Sequence, residues 1–264
     1  MEYIVCITLF HGLQPAFHSP LYSQGALCTD RMPSAPLQTA ITLDRASKLY
    51  GNFAALRDVS LTIAAGSSVV LLGENGAGKS TLLKLIAGLE TPTYGSVAIF
   101  GNSPREERSR IATMGHATML YDELTGMENL TYFASLYAED ESSSALKARA
   151  TEALLGVALD PANPRRVGEY SQGMRQRASL ARALMTEPDL LLLDEPFSNL
   201  DATSAQAMIE RLLHYCAHSG SVGVARTLML TTHQAELARP LARTTITMRA
   251  GRIASIEAAD EVAR

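Results

Sequence analysis

Residues Gly73-Glu74-Asn75-Gly76-Ala77-Gly78-Lys79-Ser80-Thr81 follow the spacing G-x-x-x-x-G-K-[ST], a pattern suited to holding a triphosphate. Backbone N–H groups can wrap phosphate oxygens closely only where no bulky Cβ intervenes, so Gly76 and Gly78 are read as the points of approach. Lys79 supplies a positive charge near the β and γ phosphates, and the Ser80 hydroxyl is placed for Mg²⁺. A second chemical stretch is Asp189-Leu190-Leu191-Leu192-Leu193-Asp194-Glu195, which ends an apolar run in two carboxylates. An acid at such a strand end can hold Mg²⁺ through its water shell, a role that falls to Asp194. Glu195 then stands where it can polarise an attacking water. By itself that pair would be an ordinary solvated turn; the phosphate loop gives it a use.

These residues need elements to carry them. Val69-Val70-Leu71-Leu72 reads as a short strand before the loop, and Leu82 to Gly88 as an amphipathic helix after it, closed by glycine. Ile41 to Tyr50 and Ala54 to Ile63 alternate around Gly51-Asn52 and predict an antiparallel pair, with a further strand over Tyr94 to Gly101. The middle, roughly His116 to Met185, predicts helices at Asn129 to Tyr137 and Ser142 to Val157. Strand-like runs at Leu190 to Leu193, Thr227 to Thr231 and Thr244 to Met248 alternate with helical stretches. The expected fold is therefore α/β: a core with a parallel sheet, an antiparallel β subdomain and an inserted helical subdomain. Residues 1 to 38 show no sustained period and hold Pro15, Pro20, Pro33 and Pro36. They are expected to form a disordered extension, with the working domain over 39–264. Met32 stands just before the patterned part and is an alternative starting point for the chain.

The chain has 264 residues, enough for one large α/β domain or two small ones, and a formal charge of −4. That balance implies no broad basic surface, and no nucleic-acid partner is expected. The cysteines, Cys6, Cys28 and Cys216, form neither C-x-x-C pairs nor an even set, which argues against a disulfide framework or a zinc knuckle. No apolar run approaches the ~18 to 20 residues of a membrane span. Tyr3 to Phe10 is apolar but short, without basic residues before it, and is not expected to be a signal peptide.

The chain resembles the ATP-binding subunits of ABC transporters on several ordered motifs. Tyr170-Ser171-Gln172-Gly173-Met174-Arg175-Gln176-Arg177 stands where that family carries L-S-G-G-Q, followed by Ala178 to Leu184. Pro196 and Ser198-Asn199-Leu200-Asp201 come next, Thr231-Thr232-His233 matches the switch histidine region, and Tyr50 lies where the family stacks an aromatic on adenine. The resemblance covers Ile41 to about Ile256. It implies ATP as substrate, Mg²⁺ as cofactor, and Lys79, Glu195 and His233 as catalytic residues. Nucleotide contacts are implied for Tyr50, Gly73 through Thr81, His116, Ser171, Gly173 and Asp201. It also implies a head-to-tail dimer with a second ATP-binding subunit, in which Ser171 and Gly173 reach the partner's γ-phosphate. The departures from the signature are Tyr170, Gln172 and Met174.

A narrower resemblance rests on Gly115-His116, where most such subunits have proline and glutamine, and on the sequence Y-S-Q-G-M-R-Q-R. Both are similar to the haem exporter ATP-binding subunits of cytochrome c maturation. The reading is thus an ATPase subunit, peripheral on the cytoplasmic face of the cell membrane, powering export through an integral membrane subunit. Other exporters, for lipid, polysaccharide or drug, are the alternative. A soluble ABC ATPase acting on ribosomes or DNA is disfavoured by the single cassette, and a plain P-loop kinase would leave the signature unexplained.

Overall fold

The computed structural model describes residues 38–258, except 116, 138–140, 199, 221–222 and 224. The expected extension falls almost wholly outside the described residues, as does His116.

Two sheets organise the described chain. The smaller holds β1 (Thr39–Tyr50), β2 (Phe53–Ala64) and β4 (Tyr94–Ile99) in the order β2-β1-β4, all antiparallel. Its hairpin turns at Gly51, whose φ of 58° suits glycine, and pairs Tyr50 with Phe53. Along β2 the buried Val59, Leu61 and Ile63 alternate with exposed Ser60 and Thr62, the half-buried pattern visible in the sequence.

The larger sheet adds β3 (Ser68–Leu72), β5 (Ile111–Met114), β6 (Leu190–Asp194), β7 (Thr227–Thr231), β8 (Thr244–Arg249) and β9 (Arg252–Ala258), in the order β5-β6-β7-β3-β8-β9. Its pairs are parallel except β8 with β9, so an antiparallel edge strand completes a mostly parallel sheet. β5 and β9 were not expected. β5 is only four residues long, too short to show a period.

The run Leu190 to Leu193 is explained by burial on both faces. Leu190 and Leu192 join one core with Val69, Leu71, Met229 and Ile246. Leu191 and Leu193 join the other with Val70, Leu228 and Leu230. The side-chain period of two sends alternate leucines to opposite faces, and both faces are covered. The first core lies under α1 (Lys79–Ile86) and the smaller sheet. The second is covered by α2 (Gly126–Tyr137), α3 (Ser143–Leu155), α4 (Gln172–Leu184) and α5 (Ala202–Ala217).

The helical stretch expected near 116–185 is present as α2, α3 and α4. It has no core of its own: Leu130, Leu146, Leu154 and Leu180 share one cluster with the sheet residues Met114, Leu191 and Leu193. In α5 the buried Met208, Ile209, Leu212 and Tyr215 recur at helical spacing and close the same face.

Candidate active site

β3 ends at Leu72, and the chain then makes the glycine loop before α1 begins at Lys79. Gly76 has φ 81°, and an added Cβ there would meet nothing within 4 Å. Its requirement is the left-handed backbone itself, with open space above it. Gly78 lines the cleft under a further constraint: at φ 101° a Cβ would lie 2.6 Å from the Ala55 carbonyl oxygen. It is small because β2 presses against the loop on its Cβ side. Gly78 is also the N-cap of α1 and offers no side-chain cap, and no acidic residue stands in the first turn. Among the described residues no side chain caps the start of α1, which favours an anion there.

Lys79 is only 6% exposed. Its Nζ donates to the Gly73 carbonyl at 2.7 Å and the Glu74 carbonyl at 3.2 Å, so the ammonium closes the loop upon itself. A cleft of about 240 Å³ opens beside it, lined by Tyr50, Glu74, Asn75, Gly76, Ala77, Gly78, Lys79, Ser80, Thr81, Asp194 and Glu195, together with Phe53 and Ala55. The structure thus brings the strand-end carboxylates to the phosphate loop across more than a hundred residues of sequence.

The carboxylates are held by β7. In register, Asp194 faces Thr231. The fully buried Thr231 donates its hydroxyl to Asp194 Oδ1 at 2.6 Å and accepts from the Glu195 N–H at 3.0 Å. Glu195 has φ 51°, an uncommon backbone for a residue with a side chain; such geometry costs of order 1 to 3 kcal/mol and persists only where neighbours impose it. His233 supplies part of that restraint. Its backbone N–H lies 3.3 Å and its Nδ1 2.9 Å from Glu195 Oε2. A carboxylate oxygen accepts, so Nδ1 is the ring nitrogen that donates toward it.

Ser80 and Asp194 present oxygen donors to one cleft, the hard ligand type that Mg²⁺ takes. Among the described residues no group of three or more His, Cys, Asp or Glu could hold a metal alone. A cation bound here would draw its other ligands from phosphate and water, which is the usual Mg²⁺ arrangement.

Other expected site residues lie elsewhere. Ser171 caps α4, accepting from the Met174 N–H at 3.3 Å. A Cβ on Gly173 would lie 3.4 Å from Ser204 Oγ. Asp201 caps α5, taking the Ser204 N–H at 2.7 Å, which lowers its pKa below the ordinary aspartate value. Among the described residues, none of these three lines the cleft. A separate cavity of about 270 Å³ holds Arg149, Arg211 and Arg226, but Glu141 takes Arg149 and Glu187 faces Arg226 at 3.8 Å. It offers no rival chemistry.

Two residues at the site were not marked as site residues in the sequence. Thr231 stood there only as part of the Thr231-Thr232-His233 stretch, and its pairing with Asp194 is what places it beside the carboxylates. Phe53, 61% exposed at the hairpin turn and on the cleft wall, carried a weak signal as an exposed aromatic beside Gly51-Asn52.

The ABC transporter family matches the chain over residues 56–198. This chain belongs to that family. It is 37% identical over 204 residues to the ABC transporter ATP-binding protein NatA of Bacillus subtilis (strain 168), covering 75% of this chain and 80% of NatA. It is 36% identical to the Fe(3+) ions import ATP-binding protein FbpC of Brucella melitensis biotype 1, over 81% of this chain and 60% of FbpC. The chain therefore spans about three fifths of that longer relative. Among solved structures, a dimeric post-hydrolysis state of the ATP-binding cassette MJ0796 bound to ADP and Pi matches with a TM-score of 0.75 and 27% identity, over 83% of this chain and 98% of that one. The chain is an ABC cassette that binds and hydrolyses ATP. The sequence resemblance holds at the level of the family; its narrower branch is not reached by these matches.

Proposed function

We propose that this cassette supplies energy to a separate membrane-spanning subunit and works as a head-to-tail pair of ATP-binding subunits. The observation that supports it is a divided site. The phosphate loop and carboxylates share one cleft, while Ser171 and Gly173 lie outside it. Two copies related by a two-fold axis would each lay the start of α4 over the other's cleft. The cassette is taken to occupy residues 39–264, apart from the extension 1–38.

Within each cleft Lys79 leaves its carbonyl partners for the β and γ phosphates, and the loop N–H groups cradle them. Tyr50 stacks on adenine. Ser80 and Asp194 would hold Mg²⁺, which when bound neutralises charge on the phosphate oxygens. Glu195 takes the proton of the attacking water, and His233 keeps that carboxylate aimed. The family resemblance also assigns nucleotide contacts to His116 and to Asp201, the latter outside this chain's own cleft. The membrane subunit docks at a groove of about 430 Å³ beside Ser80 and Asp194, lined mostly by apolar side chains including Leu89 and Met119. Both of these are more than half exposed. Among the described residues no helix is long and apolar enough to cross a membrane. The subunit's place is taken, by the family resemblance, to be peripheral on the cytoplasmic face.

The cargo reading, haem export, is supported by Gly115-His116 and the signature sequence alone. FbpC is named for import of iron, so overall similarity gives export no support. Haem-dependent ATPase stimulation in the complex with the membrane subunit would favour it, and stimulation by an unrelated solute in its place would remove it.

The test of the main reading mixes two inactive variants, Lys79→Ala and Gly173→Glu. A head-to-tail pair restores ATPase activity that neither variant has alone, because each mixed dimer keeps one intact composite site. Absence of any restoration, with mixed dimers demonstrated, removes the head-to-tail arrangement. Co-purification of the full chain with an integral membrane protein checks the partner.

A further inference from the structure

The aromatic wall of the cleft is held from behind. Tyr50 is the last residue of β1 and 44% exposed, a situation in which a ring ordinarily samples several rotamers. Here its hydroxyl donates to Glu90 Oε2 at 2.6 Å. The same oxygen receives Lys48 Nζ at 3.1 Å, and Lys84 Nζ stands 3.8 Å from Oε1. Lys48 is itself tied to the Thr91 carbonyl at 2.9 Å, and its ammonium lies 5.3 Å from the centre of the Tyr50 ring. The backbone of Glu90 is anchored too: its N–H donates to the Lys84 carbonyl of α1 at 3.2 Å.

The charge states suit this arrangement. The Tyr50 hydrogen bond, ahead of Lys48 and Lys84, holds the Glu90 carboxyl below the ordinary glutamate range. Burial, then Glu90 itself, raise Tyr50 above the usual tyrosine value. Near neutral pH a protonated donor therefore meets an ionised acceptor, the stronger class of hydrogen bond. Phe53, on the same wall, has no polar atom with which to be held.

We propose that Glu90 is a positioning residue for recognition of the nucleotide base: it clamps the Tyr50 hydroxyl, sets the ring before the nucleotide arrives, and couples it to α1, the helix that starts at the phosphate loop. This rests on the reading that Tyr50 stacks on the base. Ordering a side chain beforehand spares that cost on binding, which corresponds to an affinity change of about three- to tenfold.

The experiment titrates the full-length wild type and four variants with MgATP and with magnesium tripolyphosphate, which has the phosphates and no base. The variants are Glu90→Ala, Tyr50→Phe, the two combined, and Tyr50→Ala. Glu90→Ala and Tyr50→Phe should each weaken ATP by about three- to tenfold, the double variant no further, and tripolyphosphate binding should not change. Additive losses in the double variant would overturn the clamp, as would an equal loss of tripolyphosphate in Glu90→Ala. If Tyr50→Ala loses ATP affinity while Glu90→Ala and Tyr50→Phe bind as wild type, the clamp fails and base stacking stands. If Tyr50→Ala also binds as wild type, base stacking fails and the clamp with it.

Discussion

Two helix starts in this molecule carry glycine motifs, and they are finished differently. α1 begins at Gly78 with no side-chain cap, beside a cleft that gathers Lys79, Ser80 and two carboxylates. α4 begins at Ser171, whose hydroxyl already accepts the Met174 N–H, and it lies outside that cleft. The first leaves room for an anion beside groups of its own chain. The second is already satisfied by its own cap. On the proposed head-to-tail reading, similar local chemistry would serve two stages: binding within the chain, then assembly across chains.

The largest effect tests the completed side of this contrast. Glu195→Gln should bind ATP, lose ~10² to 10⁴ in hydrolysis and accumulate the dimer. Turnover within a factor of a few of wild type would exclude Glu195 as the base. Lys79→Ala should weaken MgATP binding by about 2 to 4 kcal/mol, since the buried ammonium is the main charge facing the phosphates. Calorimetric titration giving near-normal affinity would show that the loop N–H groups suffice.

Thr231→Val keeps the shape of the side chain and removes the hydroxyl that Asp194 and the Glu195 N–H share. Because a buried unmet partner costs about 1 to 3 kcal/mol, both hydrolysis and thermal stability should fall. A variant unchanged in both would show that the strand register alone holds the carboxylates. The smallest effect concerns α4. Ser171→Ala should cost about 1 kcal/mol of stability as a lost cap, whereas Ser171→Asn preserves capping. Loss of ATP-dependent dimerisation in the asparagine variant, with its melting temperature intact, would separate a cross-chain role from a cap. Full dimerisation in that variant would reduce Ser171 to a cap.

Much of the architecture was legible because its causes are local or periodic. The hairpin from β1 to β2 showed as alternation around Gly51-Asn52, and β6 showed as an apolar strand-like run of leucines. β5 was missed because four residues hold too little period, and β9 because its alternation faces largely solvent. The helices of the middle stretch were expected as a subdomain inserted into the α/β core, and they are present. That their apolar faces meet Met114, Leu191 and Leu193 of the sheet was not legible, because helix periodicity does not say what a buried face meets.

The site divides along the same line. Sequence alone determined that a triphosphate loop exists, because glycine, lysine and hydroxyl at fixed spacing are a local requirement of wrapping phosphate with backbone N–H groups. It also marked Asp194 and Glu195 as a strand end in need of a partner. Only the tertiary structure decided what holds them. Parallel pairing of β6 with β7 sets Thr231 against Asp194, and the chain beyond β7 brings His233 to Glu195. Gly78 makes the same point in reverse: the sequence marks it for phosphate, while packing shows its Cβ position taken by the Ala55 carbonyl. Hydrogen bonds across strands depend on sheet order and register, which long-range burial selects and no local spacing encodes.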